Sequence, residues 1–145
     1  MRADENLKPC AEHKGSFMDH ISALIVDDSS VMRKIVERSL RQAGINLDHV
    51  FEAGNGVEAL SVLASNRVDL ILCDINMPVM GGLEFVQKLA GVPNAKGVPV
   101  VMITTEGSES HVVQALAAGA RGYIRKPFAA EQVKEHVLPV LKVKM

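Results

Sequence analysis

Residues 68–74 read VDLILCD and residues 21–28 read ISALIVDD. Each is a short apolar run that lacks the apolar–polar alternation of a half-exposed strand, and each ends in aspartate. Such a run predicts a strand buried on both faces, as in a parallel sheet covered by helices. Two further runs repeat the pattern. VPVVMI at 98–103 leads into Thr104 and Thr105, and GYIR at 122–125 leads into Lys126 and Pro127. A weaker strand is expected over 49–53.

The stretches between these runs have helical spacing. Over 31–43, Val31, Ile35, Val36 and Leu40 fall on one side; Ser29 or Ser30 is placed to cap the start and Gly44 to end it. Further helices are expected over 55–64, 83–89, 111–118 and 129–141. Gly81-Gly82 is expected to supply a turn with positive φ before the third helix. Five β–α pairs predict an α/β domain with a doubly wound parallel sheet and helices on both faces. Ligands of such sheets bind outside the carboxyl ends of the strands. The residues at those ends are Asp27, Asp28, Asp74, Thr104 and Lys126.

The 145-residue chain is long enough to bury a core without staples. With 16 Lys and Arg against 17 Asp and Glu, its net charge is -1, which argues against a general nucleic-acid binder. Aromatics are 3% and Trp is absent, so base-stacking platforms are not expected. Cys10 and Cys73 have no zinc or disulfide spacing, and Cys73 reads as a small core residue. His13, His20, His49, His111 and His136 have no metal-ligand spacing, Gly54 and Gly56 form no nucleotide loop, and Met77, Met80 and Met102 read as packing residues. No run is long enough to span a membrane and no secretory signal precedes the first strand, so the expected location is cytoplasmic. Residues 1–20 lack periodicity and read as a leader, either disordered or a tag or upstream extension; the folded domain is placed at 21–145.

Three carboxylates at one sheet edge repel one another unless a cation joins them. Mg2+ suits two or three carboxylates, a backbone carbonyl such as that of Asn76, and retained water. Lys126 adds an ammonium and Thr104 a hydroxyl. A cation, an ammonium and a hydroxyl around one carboxylate suit an incoming phosphoryl group, whose charge spreads over its equatorial oxygens. In that arrangement Asp74 is the nucleophile, Asp27 and Asp28 hold the metal, and the product is an aspartyl phosphate.

LIVDDSS at 24–30, LCDINMP at 72–78, MITTE at 102–106 and GYIRKPF at 122–128 together resemble the receiver domains of two-component response regulators, with stand-alone chemotaxis regulators as the nearest likeness. The resemblance covers about residues 21–142 and implies a flavodoxin-like (βα)5 fold with strand order 2-1-3-4-5. It implies phosphorylation of Asp74 by a histidine kinase, with Mg2+ on Asp27, Asp28, Asp74 and the Asn76 carbonyl. It also implies a phosphoryl contact from Lys126, a switch hydroxyl at Thr104, a rotating aromatic at Tyr123 and a cis Lys126–Pro127 bond. Asn76 and Glu106 resemble the residues that tune phosphoryl turnover, here toward a short lifetime. The output face is the one formed by the fourth helix, fifth strand and fifth helix. The basic side of the first helix, with Met32, Arg33, Lys34, Arg38 and Arg41, would meet the phosphodonor. Arg125 departs from the apolar residue usual in the chemotaxis regulators and suits an acidic partner or a salt-bridged dimer face.

The expected function is therefore a phosphorylation switch, not an enzyme beyond its own phosphorylation and dephosphorylation. Its signal would pass to a downstream protein such as a flagellar switch or a phosphorelay protein, with no nucleic acid or membrane partner. One alternative is a phosphorelay intermediate that passes its phosphoryl group onward. A phosphatase of the haloacid-dehalogenase type also uses a strand-end aspartate, but it needs a second acid where this chain has Asn76. A flavin-binding domain would need a Ser- and Thr-rich loop where this chain has Asp27-Asp28.

Overall fold

The computed structural model describes residues 20–104, 109–126 and 130–144. Its elements alternate as expected: β1 (Ile21–Val26), α1 (Ser30–Gln42), β2 (Leu47–Ala53), α2 (Gly56–Ser65), β3 (Leu70–Asp74), α3 (Gly82–Leu89), β4 (Val100–Thr104), α4 (Glu109–Ala117), β5 (Gly122–Arg125), α5 (Ala130–His136) and α6 (Leu138–Lys144). The five strands are all parallel, in the order β2-β1-β3-β4-β5.

The unalternating strands are explained by two cores. Leu24, Val26, Ile71, Cys73 and Met102 face one side and pack with Ala59, Leu63, Phe85, Val112 and Ala115. Ala23, Ile25, Leu70, Leu72, Val101, Ile103 and Ile124 face the other and pack with Val36, Leu40, Val133, Val137 and Leu141. Side chains alternate between faces, and both faces are covered, so the period of two leaves no trace in the hydropathy. Each large aliphatic so buried contributes about 1.5–3 kcal/mol.

Local rules set most of the helix ends. Ser29 is the cap of α1, its hydroxyl accepting from the Met32 N–H. Gly44 ends that helix with φ 96°. Asn55 caps α2 by accepting from the Glu58 N–H, while the Glu58 carboxylate accepts from the Gly54 N–H, a reciprocal lock close to a capping box.

Three readings need correction. Val31 and Ile35 were expected on the buried side of α1 but are 68% and 37% exposed; the stripe that reaches the core is Val36, Ser39 and Leu40. The helix expected over 129–141 is two helices that meet at Val137. Pro139 has no N–H to donate to the carbonyl four residues earlier, so the first helix stops and the proline takes the second place of the next one. The positive φ expected at Gly81-Gly82 belongs instead to Val79, at 68°; Gly81 has φ −80°. Gly82 is needed for space, since a Cβ there would collide with the Asp74 carbonyl oxygen and the Ile75 Cα.

Candidate functional site

Sheet register brings the acidic residues together. Val26 pairs with Cys73, so the next residues, Asp27 and Asp74, emerge side by side from β1 and β3. Asp74 pairs with Ile103, and Thr104 pairs with Arg125. The Lys126 N–H then donates to the Thr104 carbonyl at 2.7 Å. All five residues expected at the strand ends therefore lie along one edge of the sheet.

Asp27 is fully buried and Asp74 is 5% exposed, whereas Asp28 is open to solvent. The three carboxylates each place an oxygen within 4.8 Å of the others. Asp27 Oδ1 accepts from the Ser29 N–H at 2.9 Å, and the Asp27 carbonyl accepts from Arg33 Nη1 at 2.6 Å. Lys126 Nζ lies 3.2 Å from Asp27 Oδ2 and 3.4 Å from Asp74 Oδ2. The Lys126 ammonium donates a hydrogen bond to Asp74. Asp27 Oδ2, though buried, accepts no hydrogen bond and receives only the charge of the ammonium.

These distances shift the titration of the groups. Burial pushes the Asp74 carboxyl above its ordinary range, and the neighbouring Asp27 charge adds to the push. Lys126 and the Asn76 N–H, which donates to Asp74 Oδ1 at 3.4 Å, oppose it. For Lys126, burial acts to lower the value, but the two carboxylates outweigh it and hold the ammonium above its ordinary range. Burial and the adjacent Asp74 and Asp27 push the Cys73 thiol well up, so Cys73 is an inert core thiol.

The residues fit a hard divalent cation on a structural ground. A buried carboxylate oxygen without a hydrogen bond is costly, and Asp27 Oδ2 belongs to a group of three convergent carboxylates. One ammonium leaves a net negative charge on that group. Oxygen donors of this kind suit Mg2+.

The loop after β3 turns sharply. The Met80 N–H donates to the Pro78 carbonyl at 2.7 Å, so Val79 is the centre of a three-residue turn with positive φ, a strained form. The loop is held on both sides: Gly82 N–H donates to the Ile75 carbonyl and Gly56 N–H to the Met80 carbonyl, both at 2.9 Å. Met80 is buried while Val79 is 81% exposed. Nothing in the sequence pattern signals a valine in this conformation.

Toward β5 the edge changes character. Thr104 is 3% exposed, and Tyr123 is 41% exposed. A cavity of about 260 Å³ lies between them, lined also by Val112, Val113, Leu116 and Arg125. Arg125 is exposed, and its N–H donates to Gln132 Oε1. His136, to which the sequence reading assigned no chemistry, stacks on Tyr123 with ring centroids 6.0 Å apart.

On α1, Arg33 and Lys34 both bind Glu52, at 2.7 and 3.2 Å, and Arg41 binds Glu37. The Arg33 hydrogen bond, helped by Lys34, holds the Glu52 carboxyl below its ordinary range despite partial burial. Part of the basic face expected to meet a phosphodonor is thus engaged within the molecule. Glu106, Pro127, Cys10 and the leader to residue 19 lie outside the described residues. Among the described residues no helix is long and apolar enough to cross a membrane.

Residues 23–138 match the family described as the response regulator receiver domain. The chain is 44% identical over 119 residues to the chemotaxis protein CheY homolog of Campylobacter jejuni, covering 81% of this chain and 90% of that protein. It is 43% identical over 119 residues to the chemotaxis protein CheY1 of Helicobacter pylori, covering 81% and 94%. Its fold is similar to the solved structure of the chemotaxis response regulator CheY4 of Vibrio cholerae, with a TM-score of 0.69 and 36% identity over 87% of this chain and 99% of that one.

Proposed function

The chain belongs to the response regulator receiver family, and from that membership we propose that it is a cytoplasmic phosphorylation switch of chemotaxis, with Asp74 as phosphoacceptor. A histidine kinase is the phosphodonor. An Asp74 oxygen attacks the phosphorus of a phosphohistidine and a P–O bond forms as the P–N bond breaks. The electron pair stays on the imidazole nitrogen, which leaves as neutral imidazole after taking up a proton. Asp27, Asp28, Asp74 and the Asn76 carbonyl would hold a Mg2+ ion, which would supply positive charge against the phosphoryl oxygens. Burial of Asp74 strips water from the nucleophile, and Lys126 offers the charge that meets a phosphoryl oxygen.

The observation that carries the reading is Lys126 Nζ poised between Asp27 Oδ2 and Asp74 Oδ2, at 3.2 and 3.4 Å, with Asp28 as a third convergent carboxylate. A structural ion pair needs no third acid beside it. Phosphorylation adds about −1.5 to −2 of charge. Thr104, whose hydroxyl bonds the new group, and Tyr123, which turns toward the cavity between them, convert that charge into a changed α4–β5–α5 face. The partner reading that face is a protein, such as a flagellar switch. Asn76 and Glu106 set a short phosphoryl lifetime. The domain is regulatory, and its only chemistry is on its own aspartate.

The test is incubation with acetyl phosphate and Mg2+, followed by intact mass. A gain of about 80 Da that requires Mg2+ and is absent in Asp74→Asn is expected. A gain that survives in Asp74→Asn overturns the assignment of the acceptor.

A further inference from the structure

Tyr123 sits between two alternatives that the structure places side by side. On one side is the cavity of about 260 Å³ bounded by Thr104, Val112, Val113 and Leu116. On the other is His136, whose imidazole stacks on the phenol ring at 6.0 Å and an interplanar angle of 24°. His136 is not among the residues lining the cavity. Tyr123 is 41% exposed in this arrangement.

The place of His136 is set by the core. It is the last residue of α5, flanked by the buried Val133 and Val137. The Val137 N–H donates to the Val133 carbonyl at 2.8 Å. A Cβ on Gly122 would lie 3.5 Å from the His136 carbonyl oxygen, so β5 passes directly beside the end of the helix. The imidazole itself is on the surface, its side chain 42% exposed. Backbone position brings the imidazole to the phenol ring without enclosing it, and its Nε2 lies 3.8 Å from Glu135 Oε1.

We propose that His136 is a positioning residue for the switch: its ring holds Tyr123 in the outward arrangement and sets how often the phenol enters the cavity beside Thr104. This deepens the proposed function and rests on it for its consequence, though not for its geometry. A stacked ring pair at this separation favours the outward arrangement by about 2- to 12-fold. Removing the imidazole raises the inward population by that factor without any phosphoryl group. The protein becomes biased toward the arrangement that phosphorylation would otherwise have to select.

The chain has one Tyr and no Trp, so its fluorescence reports Tyr123 alone. The measurement is acrylamide quenching of the unphosphorylated full chain, in wild type, His136→Ala, His136→Gln and His136→Phe, with circular dichroism as the folding control. The sign of the change decides. If His136 only covers the ring, its removal uncovers Tyr123 and quenching rises. If His136 positions the ring, Tyr123 withdraws behind Val113 and Leu116 and quenching falls. We expect a fall in His136→Ala and His136→Gln, with recovery toward wild type in His136→Phe. A rise or no change in the two ring-less variants overturns the inference. Adding beryllofluoride and Mg2+ to wild type separates the two levels. If Tyr123 quenching does not respond there, the switch role of Tyr123 fails, whereas the bias set by His136 is read from the variants alone.

Discussion

The carboxyl edge of the sheet has two unlike halves. Where β1 and β3 end, Asp27 and Asp74 are buried, joined through Lys126 and flanked by a loop pinned at Gly56 and Gly82. Where β4 and β5 end, Thr104 lies beside a cavity, and Val113, Leu116 and Tyr123 are exposed. The first half holds charge in fixed geometry, which favours chemistry, because preorganised groups need not reorganise during the reaction. The second half has an apolar surface and room for a ring to move, which favours a change of surface. The two meet along the β3–β4 ladder, where Asp74 pairs with Ile103, and at Lys126, whose N–H donates to the Thr104 carbonyl while its ammonium reaches Asp27 and Asp74.

The strongest way to break this contrast is at Asp74. Asp74→Asn is expected to abolish the acetyl phosphate adduct in intact mass. The same variant should unfold at a higher temperature than wild type in chelator, because a neutral amide ends the repulsion with Asp27. A lower melting point in calorimetry would mean that the ion pair with Lys126 outweighs burial. Next in size is Gly82→Ala. Its methyl meets backbone atoms that cannot yield, so a loss of about 2–3 kcal/mol is expected in urea unfolding. Saturating Mg2+ should stabilise wild type by about 2.7 kcal/mol at 100 times its Kd and do so much less in Asp27→Asn.

A pH series sharpens the electrostatic side. Burial raises the Asp74 carboxyl above its ordinary range, so between the ordinary and the raised value the folded chain holds a proton that the unfolded chain has lost. Stability from this group is present below the ordinary value and falls as pH rises through the raised one. Glu52 is lowered by Arg33 and acts with the opposite sign, its stability being lost as pH falls. The difference between wild type and Asp74→Asn, measured in chelator, isolates the Asp74 share. Val79→Gly is smaller still: relief of a β-branched residue at positive φ should raise stability by about 1 kcal/mol. Val113→Ser in the open half should change stability by no more than about 0.5 kcal/mol. A large loss there would show that the second half is packed like the first.

Much of the first half was legible from residues alone. Unalternating runs such as VDLILCD report burial on both faces, and strand-end aspartates mark the edge where three carboxylates converge. The caps at Ser29 and Asn55 and the stop at Gly44 follow local rules. The misreadings share a cause: spacing identifies which residues are apolar but not which surface a neighbour covers. Val31 and Ile35 fit the helical stripe yet stay exposed, because the packing partners bury Val36, Ser39 and Leu40 and partly cover Met32, which was expected on the basic side. The glycine pair at 81–82 suggests a positive φ by type alone, whereas the role of Gly82 is clearance from the end of β3.

By itself, the sequence determined the alternation of strands and helices and the residue types at each strand end, because these depend on side-chain periodicity and on chemistry carried within a few positions. The tertiary structure decided the rest. Register between β1 and β3 brings Asp27 beside Asp74; chain return across the sheet brings Lys126 to both; and the helix break at Val137 leaves His136 against Tyr123. Those pairings span tens of residues, and their energies arise only once the two cores have closed. No local pattern records them.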